Sequence, residues 1–593
     1  MNGFFLNVER SVNGQAWRPR LDLAGEGQAQ AMHQLYGIPD IVARLLAARG
    51  VSADGAAAYL EPKLRDLMPD PLRLRDMDRA VARLAQAVVT GEKIAIFGDY
   101  DVDGAASSAL LAEYVASCGC THIIHIPDRI TEGYGPNPEA IVKLQAEGAT
   151  LLVTVDCGTT SIDPLALARQ IGMDVIVLDH HQAPEVLPDV ILVNPNRQDD
   201  LSGLGYLCAA GVVHLTLVAL HRHLRDYGFW SAQNPGPDLM QGLDLVALAT
   251  VADVAALVGL NRAYVQRGLE IMRKRERLGL RALMDVARLD GPVNAYHLGF
   301  LLGPRINAGG RIGDAALGAR LLLETDEDKA SASAQQLHVL NEERRVIEAQ
   351  SVAEAQAEAE ASLGTSDNQA VIVTQGAQWH PGIVGLVASR LRETYNRPAF
   401  AIAFNGKTGT GSGRSIPGVD LGRAVRAAVE TGLLVKGGGH AMAAGITLEI
   451  GQLGPFRAWL EHQLAQVVAR ARANEALYID AALNAGGATQ ALYETVERAG
   501  PYGAGNPQPI FALPAHRILQ ATVLKDAHVK ITAQAPDRST IDAIAFRVMD
   551  KPLGQALLAA RGECLHLAGQ LSANHWNGRT KIQLMLKDCA RPD

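Results

Sequence analysis

The 593-residue sequence lacks several features that would fix its class at once. No stretch approaches the ~18 to 20 uninterrupted apolar residues needed to cross a bilayer, so no membrane span is expected. The first residues, MNGFFLNVERSVNG, meet charge within a few positions of a short apolar run. No signal peptide is therefore expected, and a cytoplasmic location is. Cysteine is scarce: there are six, and only Cys118 and Cys120 lie close together. That excludes a disulfide scaffold and leaves no second pair to complete a thiolate zinc site. Positive charge is not in excess either, with a formal net charge of −8. Nucleic-acid-binding proteins are usually basic, so this argues weakly against such a partner. Two points blunt it, because a carboxylate-rich metal site brings its own cations and positive charge can be local.

What remains is an ordinary globular composition, 48% hydrophobic and 20% charged. The length suggests three or four domains at about 150 residues each. From Asn261 to Asp290 there are eight Lys/Arg against four acids, including Arg273, Lys274, Arg275 and Arg277. A charged helix face explains that cluster as readily as a nucleic-acid contact does. From Ala471 onward there are 13 Lys/Arg and 11 Asp/Glu, so the acidity lies mostly upstream.

Between about Ile38 and Thr90 apolar residues recur at helical spacing (Ile41, Leu45, Leu46, then Ala80, Leu84, Val88). We assign residues 1–90 to an N-terminal helical segment of the catalytic unit. Residues 91–324 change pattern. Short apolar runs, IAIFGDYD, LLVTVD, VIVLDHH and VILVNP, alternate with segments of helix length. Such runs indicate a parallel sheet covered on both faces. Ligands bind beyond the carboxyl ends of strands in these sheets, which is where every run carries its polar residues. Residues 325–363 contain neither Gly nor Pro and are rich in Ala, Glu and Gln. They predict one connector helix of ~39 residues, about 58 Å long. Residues 364–470 form a smaller α/β domain, with strands AVIVT and AFAIAF around a helix from Gly382 to about Tyr395. Glycine-rich turns are expected at TGTGSGRS and KGGGHAMAAG. Residues 471–593 shift to short β-like runs between polar turns, which suggests a small barrel or sandwich, and a five-stranded oligonucleotide-binding barrel fits.

The chemistry starts at GDYDVDG, which holds Asp99, Asp101 and Asp103 before Gly104. An EF-hand opens similarly, but it needs a preceding helix and a glutamate at loop position 12, which is Leu110 here. Three such acids at a strand end repel one another and are costly to desolvate, a conflict that divalent cations resolve. Asp156, in VTVDCGTT, also ends a strand, where a helix cap is an equally good account. VIVLDHH supplies Asp179, His180 and His181. Adjacent histidines point apart, so at most one is expected to be an ordinary ligand, and Asp179 can fix an imidazole's tautomer. Asp253 interrupts the apolar run LATVADVAAL. Four or five carboxylates with one or two imidazoles suit two Mn²⁺ or Mg²⁺ ions rather than zinc. Such a pair would activate water, hold a phosphate and neutralise a leaving alkoxide, which makes phosphoester hydrolysis the natural reaction.

These motifs resemble the DHH phosphoesterase superfamily, with GDYDVDG as its first motif, Asp156 in its third, Asp179-His180-His181 as the name-giving triplet and Asp253 in its fourth. The resemblance implies that Asp101, Asp103, Asp156, His180 and Asp253 bind metal, with Asp99 and His181 beside them and His181 near the scissile phosphate. GPRINAGGRIGDA, QWHPGIVGLVASRL, GSGRS, GGGHAMAAG and GPYGAGNPQPIF narrow the resemblance to the RecJ family, including its DHHA1 and oligonucleotide-binding domains. It implies a 5′-to-3′ exonuclease specific for single-stranded DNA that releases mononucleotides, a monomer acting in recombination and repair with a helicase and a single-stranded DNA-binding protein. Arg305, Asn307 and Arg311 would contact substrate. Ser412, Arg414, Ser415 and His440 would bind phosphate, with Arg129 as a further candidate. Glycines 411 and 413 would let backbone N–H groups approach the anion, although a plain glycine-rich hairpin explains GSGRS as well. Tyr134, Trp379 and Trp576 offer base-stacking surfaces or are core aromatics. Small-substrate phosphoesterases and non-catalytic DNA-binding relatives are the competing classes.

Overall fold

The computed structural model describes residues 3–363, 368–576 and 579–592, with only the backbone of His575, Trp576 and Arg579. It divides into two compact units, Leu67–Ala473 and Met1–Asp66 with Asn474–Asp593.

In the first unit the β-branched runs form a five-stranded, all-parallel sheet in the order His122–His125, Ile94–Gly98, Leu151–Val155, Asp174–Leu178, Ile191–Val193. His122–His125 was not foreseen, since only four residues separate its flanking turns. The central strands Ile94–Gly98 and Leu151–Val155 are buried at every position, as sheets covered on both faces require. Each strand's carboxyl end opens on the same edge.

The predicted connector is a helix from Glu327 to Leu363, 37 residues long. It is not free-standing. Ala330, Ala334, Leu337, Asn341, Glu348, Ser351, Ala355 and Ala359 are buried at spacings of three, four or seven, one narrow stripe of mostly small residues. Its first half packs on the helices Leu278–Val286 and Gly303–Ile312, and its second on Val384–Tyr395 and the strand Ile372–Gly376.

The second sheet of this unit has five strands, in the order Lys436–His440, Ala443–Glu449, Thr408–Arg414, Ala399–Asn405, Ile372–Gly376. Only the last pair is parallel. Of the glycine-rich turns expected, TGTGSGRS is almost wholly strand, while KGGGHAMAAG is two strands joined by a turn at Ala441–Met442. A Cβ at Gly409 would come within 2.6 Å of Phe404 Cε1, one at Gly411 within 2.8 Å of Ile402 Cγ1 and one at Gly413 within 2.5 Å of Phe400 Cε1. Large side chains of the neighbouring strand fill the space, so these glycines serve packing.

In the other unit, Phe511–Leu524, His528–Gln534, Thr540–Ala545, Arg579–Ala590 and Cys564–Trp576 pair in a ring that closes between the first and last. This is the five-stranded barrel expected. Residues 1–66, expected with the catalytic unit, pack here instead. Ala16–Pro19 pairs in parallel with Ala476–Ile479, and buried Trp17 donates its indole N–H to Asp588 Oδ2 at 2.9 Å. Leu45, Leu46 and Met32 share one core with the barrel residues Phe511, Ile531 and Leu584. Of the expected helical preface, Met77–Thr90 does lie in the first unit. Among the described residues no helix is long and apolar enough to cross a membrane.

Candidate active site

The acids meet at the carboxyl edge of the parallel sheet. Asp99 directly follows the strand Ile94–Gly98. Asp101 caps the helix Val102–Ser117, its Oδ1 accepting from the N–H groups of Asp103 (2.8 Å) and Gly104 (3.1 Å). Gly104 is required, since a Cβ there would run into the backbone of Asp99. The carboxylate of Asp103 accepts from the N–H groups of Ala209 (2.7 Å) and Ala210 (2.8 Å), at the open start of the helix Ala209–Asp226. Asp156 follows Leu151–Val155 with φ 61°, a left-handed turn that is uncommon for a residue bearing a Cβ. Asp253 ends the helix Leu243–Ala252.

One ligand atom from each of Asp99, Asp101 and Asp156 lies within 4.8 Å of the other two, and the same holds for Asp103, His180 and Asp253 and for Asp156, His180 and His181. His180 Nε2 lies 3.2 Å from Asp156 Oδ1, 3.7 Å from Asp103 Oδ2 and 3.8 Å from Asp253 Oδ2. Asp99, Asp103 and Asp156 are buried. Burial and the neighbouring carboxylates hold Asp99 and Asp156 well above the usual carboxylate range, and raise Asp103 despite nearby His180. The same causes push Asp253 up to about 9. Asp99 Oδ1, Asp156 Oδ1 and His180 Nε2 are buried and have no hydrogen-bond partner among the described residues. Orphaned acceptors facing one another are what a cation satisfies, and an oxygen-rich set with one imidazole suits a hard divalent ion. The geometry thus places Asp99 within a ligand-competent group rather than beside it.

Asp179 stays out of these groups. It accepts from Thr159 N–H (3.1 Å) and Oγ1 (2.6 Å), from the backbone N–H of His180 (2.8 Å) and His181 (3.2 Å), and pairs with His181 Nδ1 at 2.8 Å. Although burial opposes it, the bond from His181 holds Asp179 well below the usual range, and the pair lifts His181 to about 9. Two residues missed by sequence reasoning buttress this loop. Asn194 donates to Thr159 Oγ1 and His181 O, and Asn196 to His180 O, at 2.9, 2.8 and 2.6 Å. The Asn-Pro at the end of VILVNP was their signal.

Four of the expected substrate and phosphate contacts, Arg129, Arg311, Arg414 and His440, gather beside the acids. Burial, and after it the charges of Arg129, Arg344 and Arg414, lower Arg311 to about 10. Burial, Arg392 and Arg129 lower Arg414, and burial, Arg414 and His181 lower His440. Arg129 in turn acts on Asp99, and Asp101 on Arg311. Arg129 lies 3.9 Å above the Tyr100 ring, its Nε buried without a partner. Arg311 Nη1 donates to Gly382 O (2.9 Å), and Arg414 Nη1 to Ser412 Oγ (2.7 Å) and Gly413 O (2.9 Å). Among the described residues none of the three arginines pairs with a carboxylate, so their mutual repulsion is left for an anion to relieve.

Other expected contacts have structural partners. Asn307 Oδ1 accepts from Val102 N–H at 3.1 Å, tying its helix to the GDYDVDG loop. Buried Arg305 donates to Leu301 O at 2.7 Å. Buried Ser415 donates to Val419 O at 2.7 Å, a structural bond within its own loop. Trp379 is a core aromatic whose indole donates to Glu354 Oε2 at 2.8 Å. Tyr134 is half exposed against His181, with ring centroids 5.7 Å apart. The Trp576 side chain lies outside the described residues. Of the basic cluster, Arg277 is paired with Asp244 and Glu113, and Arg275 with Asp285.

Three family descriptions match the chain: "DHH family, N-terminal domain" over residues 93–250, "DHHA1 domain" over 368–466 and "RecJ OB domain" over 479–588. The single-stranded-DNA-specific exonuclease RecJ of Escherichia coli is 35% identical over 569 residues, spanning 93% of this chain and 95% of that one. The crystal structure of RecJ from Thermus thermophilus in complex with Mn²⁺ superposes with a TM-score of 0.78 at 29% identity, covering 97% of this chain and 80% of that one. The Mg²⁺ complex of the same enzyme gives 0.73 at 28% identity, covering 97% and 78%. With all three domains present in order and the likeness running over most of its length, the chain belongs to the RecJ family of single-stranded-DNA-specific exonucleases.

Proposed function

We propose that the chain hydrolyses single-stranded DNA from its 5′ end, releasing 5′-mononucleotides, with two Mn²⁺ or Mg²⁺ ions. The carrying observation is the meeting of three overlapping ligand-competent groups around His180 and Asp156 with three guanidinium groups that, among the described residues, have no carboxylate partner. Asp99, Asp101 and Asp156 would hold one ion, and Asp103, His180 and Asp253 the other, with Asp156 shared. Bound there, such ions supply water activation and charge neutralisation for phosphodiester cleavage. Asp179 fixes His181 through Nδ1 and leaves Nε2 as the nitrogen that donates to the scissile phosphate. Arg129, Arg311 and Arg414 hold the terminal 5′-phosphate, which sets the bond that reaches the metals and so the direction of degradation. The barrel is the natural holder of the strand farther along. A monomer in the cytoplasm, working with a single-stranded DNA-binding protein and a repair helicase, completes the reading.

The test is product analysis with Mn²⁺ on 5′- and 3′-labelled single strands and the matching duplex. Immediate release of labelled mononucleotide from the 5′-labelled strand alone is expected. Release first from the 3′-labelled strand would reverse the polarity, and cleavage of small phosphoesters without DNA degradation would replace the substrate.

A further inference from the structure

The helix that carries RINAGGR does not start at Gly303. Ala295–His297 and a π-helical turn, Leu298–Leu302, run into Gly303–Ile312 without a break. The wider turn reflects its neighbours. A Cβ at Gly299 would lie 3.4 Å from Val251 Cγ1, and one at Gly303 would lie 3.2 Å from Ala252 Cβ and 3.9 Å from Val102 Cγ2. The turn is therefore seated against the last residues before Asp253 and the first residue after Asp101, beside the ligand-competent groups. π-Turns inserted in helices are frequent at functional sites.

This turn and the helical residues just before it expose two aromatic rings. Tyr296 is 60% and Phe300 68% exposed, in a chain whose aromatic content is only 5%. They sit one helical turn apart and stack, with centroids 4.9 Å apart and planes 25° from parallel. Neither belongs to a hydrophobic core, and two adjacent large rings that leave most of their surface in water form an apolar patch suited to being covered. Exposed Arg273, from the basic cluster, donates through Nε and Nη2 to Val293 O at 3.3 Å, three residues before Tyr296. Among the described residues it pairs with no carboxylate. A pair of exposed rings on a helix that packs against the residues next to Asp101 and Asp253, with a guanidinium held on the segment leading into it, matches nucleobases on a phosphate backbone.

We infer that Tyr296 and Phe300 form a base-stacking platform for the single strand just beyond the scissile nucleotide, with Arg273 beside its backbone. The inference rests on the proposed nuclease function. Both residues are positioning residues: stacking holds the strand in register with the metals and is indifferent to sequence.

The test compares wild type with the Tyr296→Ala/Phe300→Ala double variant and with Phe300→Trp. Binding of a long oligothymidylate is measured in EDTA, where no hydrolysis occurs, and kcat and KM are measured with Mn²⁺ on long and short 5′-phosphorylated strands. Both side chains are exposed, so the double variant should melt like wild type. Its affinity for the long strand should fall about tenfold, the scale of one lost base stack. KM for the long strand should rise with it while kcat moves less than about twofold, and Phe300→Trp should retain affinity. Unchanged binding in EDTA, an equal loss on short and long strands, or a Trp variant as weak as the Ala variants would overturn the platform. A wild type that binds DNA through these rings and hydrolyses none would instead overturn the proposed reaction and leave the platform standing.

Discussion

His180 Nε2 lies 3.2 Å from Asp156 Oδ1, close enough for a hydrogen bond, yet neither atom makes one. Each is buried and aimed at the same small space, which Asp103 and Asp253 also border within 4 Å of the imidazole nitrogen. The left-handed backbone of Asp156 sets this arrangement, so local strain is spent on directing one carboxylate. Leaving two orphaned polar atoms in contact is unfavourable unless a third group completes them.

Metal-free stability should depend on pH with a definite sign. Asp99, Asp103, Asp156 and Asp253 are all raised in the folded protein, Asp253 to about 9. Their contribution is full below the ordinary carboxyl range and is lost as pH rises through the folded values. In EDTA, melting temperature should fall between pH 5 and 9 more steeply for wild type than for Asp156→Asn, and Mn²⁺ should abolish much of the difference. Parallel pH profiles for the two proteins in EDTA would remove the repulsive cluster from the account.

The catalytic edge was legible because its signals are local. A buried strand followed by an acid repeats in GDYDVDG, VTVD and VLDHH, and parallel strands must bring those ends together. The role of Asp179 was visible too, since an acid beside two histidines can hardly avoid one of them. Less legible was anything decided across the chain. The helices of residues 23–47 show that they bury a face, but only the tertiary structure shows that the barrel covers it. The glycines of GSGRS read as freedom to approach an anion, whereas Phe400 and Ile402 on the adjacent strand require their small size. Asn307 and Ser415 carry the same polar groups whether they meet a phosphate or a neighbouring backbone.

Asp179→Ala should lower kcat by roughly 10- to 100-fold while metal affinity changes little, because the residue holds His181 and the Thr159 turn rather than an ion. Asn194→Ala, which loosens the same loop, should act in the same direction and more weakly. Single-turnover rates and Mn²⁺ titration separate the two quantities. A loss of Mn²⁺ binding as large as the loss of rate would make Asp179 a ligand.

Arg414→Ala should lower kcat/KM on a 5′-phosphorylated strand by ~2 to 4 kcal/mol and erase most of the preference over a 5′-hydroxyl strand. Lys should rescue in part, lacking the guanidinium fork. Gly385 offers a subtler variant. A Cβ there would come within 2.8 Å of Arg414 Nη2 and 3.3 Å of Ser412 Oγ. The guanidinium can swing away at little cost in stability, so Gly385→Ala should melt normally and still lose 5′-phosphate preference. If Arg414→Ala slows both substrates equally, Arg129 is the better holder of that phosphate.

Deletion of Asn474–Asp593 alone should give a poorly soluble protein, because Ala16–Pro19 loses its paired strand and Trp17 its partner Asp588. A chain of Leu67–Ala473 avoids this and keeps the ligand-competent groups. It should hydrolyse short strands with Mn²⁺ and bind long strands more weakly than the full chain. Equal affinity of the two chains for long and short strands would show that the barrel serves something other than DNA.

The most direct measurement pairs wild type with Asp156→Asn, titrating Mn²⁺ calorimetrically and following mononucleotide release from a 5′-phosphorylated single strand in the same preparations. Two ions per wild-type chain with rapid release are expected. The variant should keep its fold, lose at least one ion and release nothing above background. Wild-type-like release by Asp156→Asn at saturating Mn²⁺ would contradict the shared carboxylate on which the two-ion site is built.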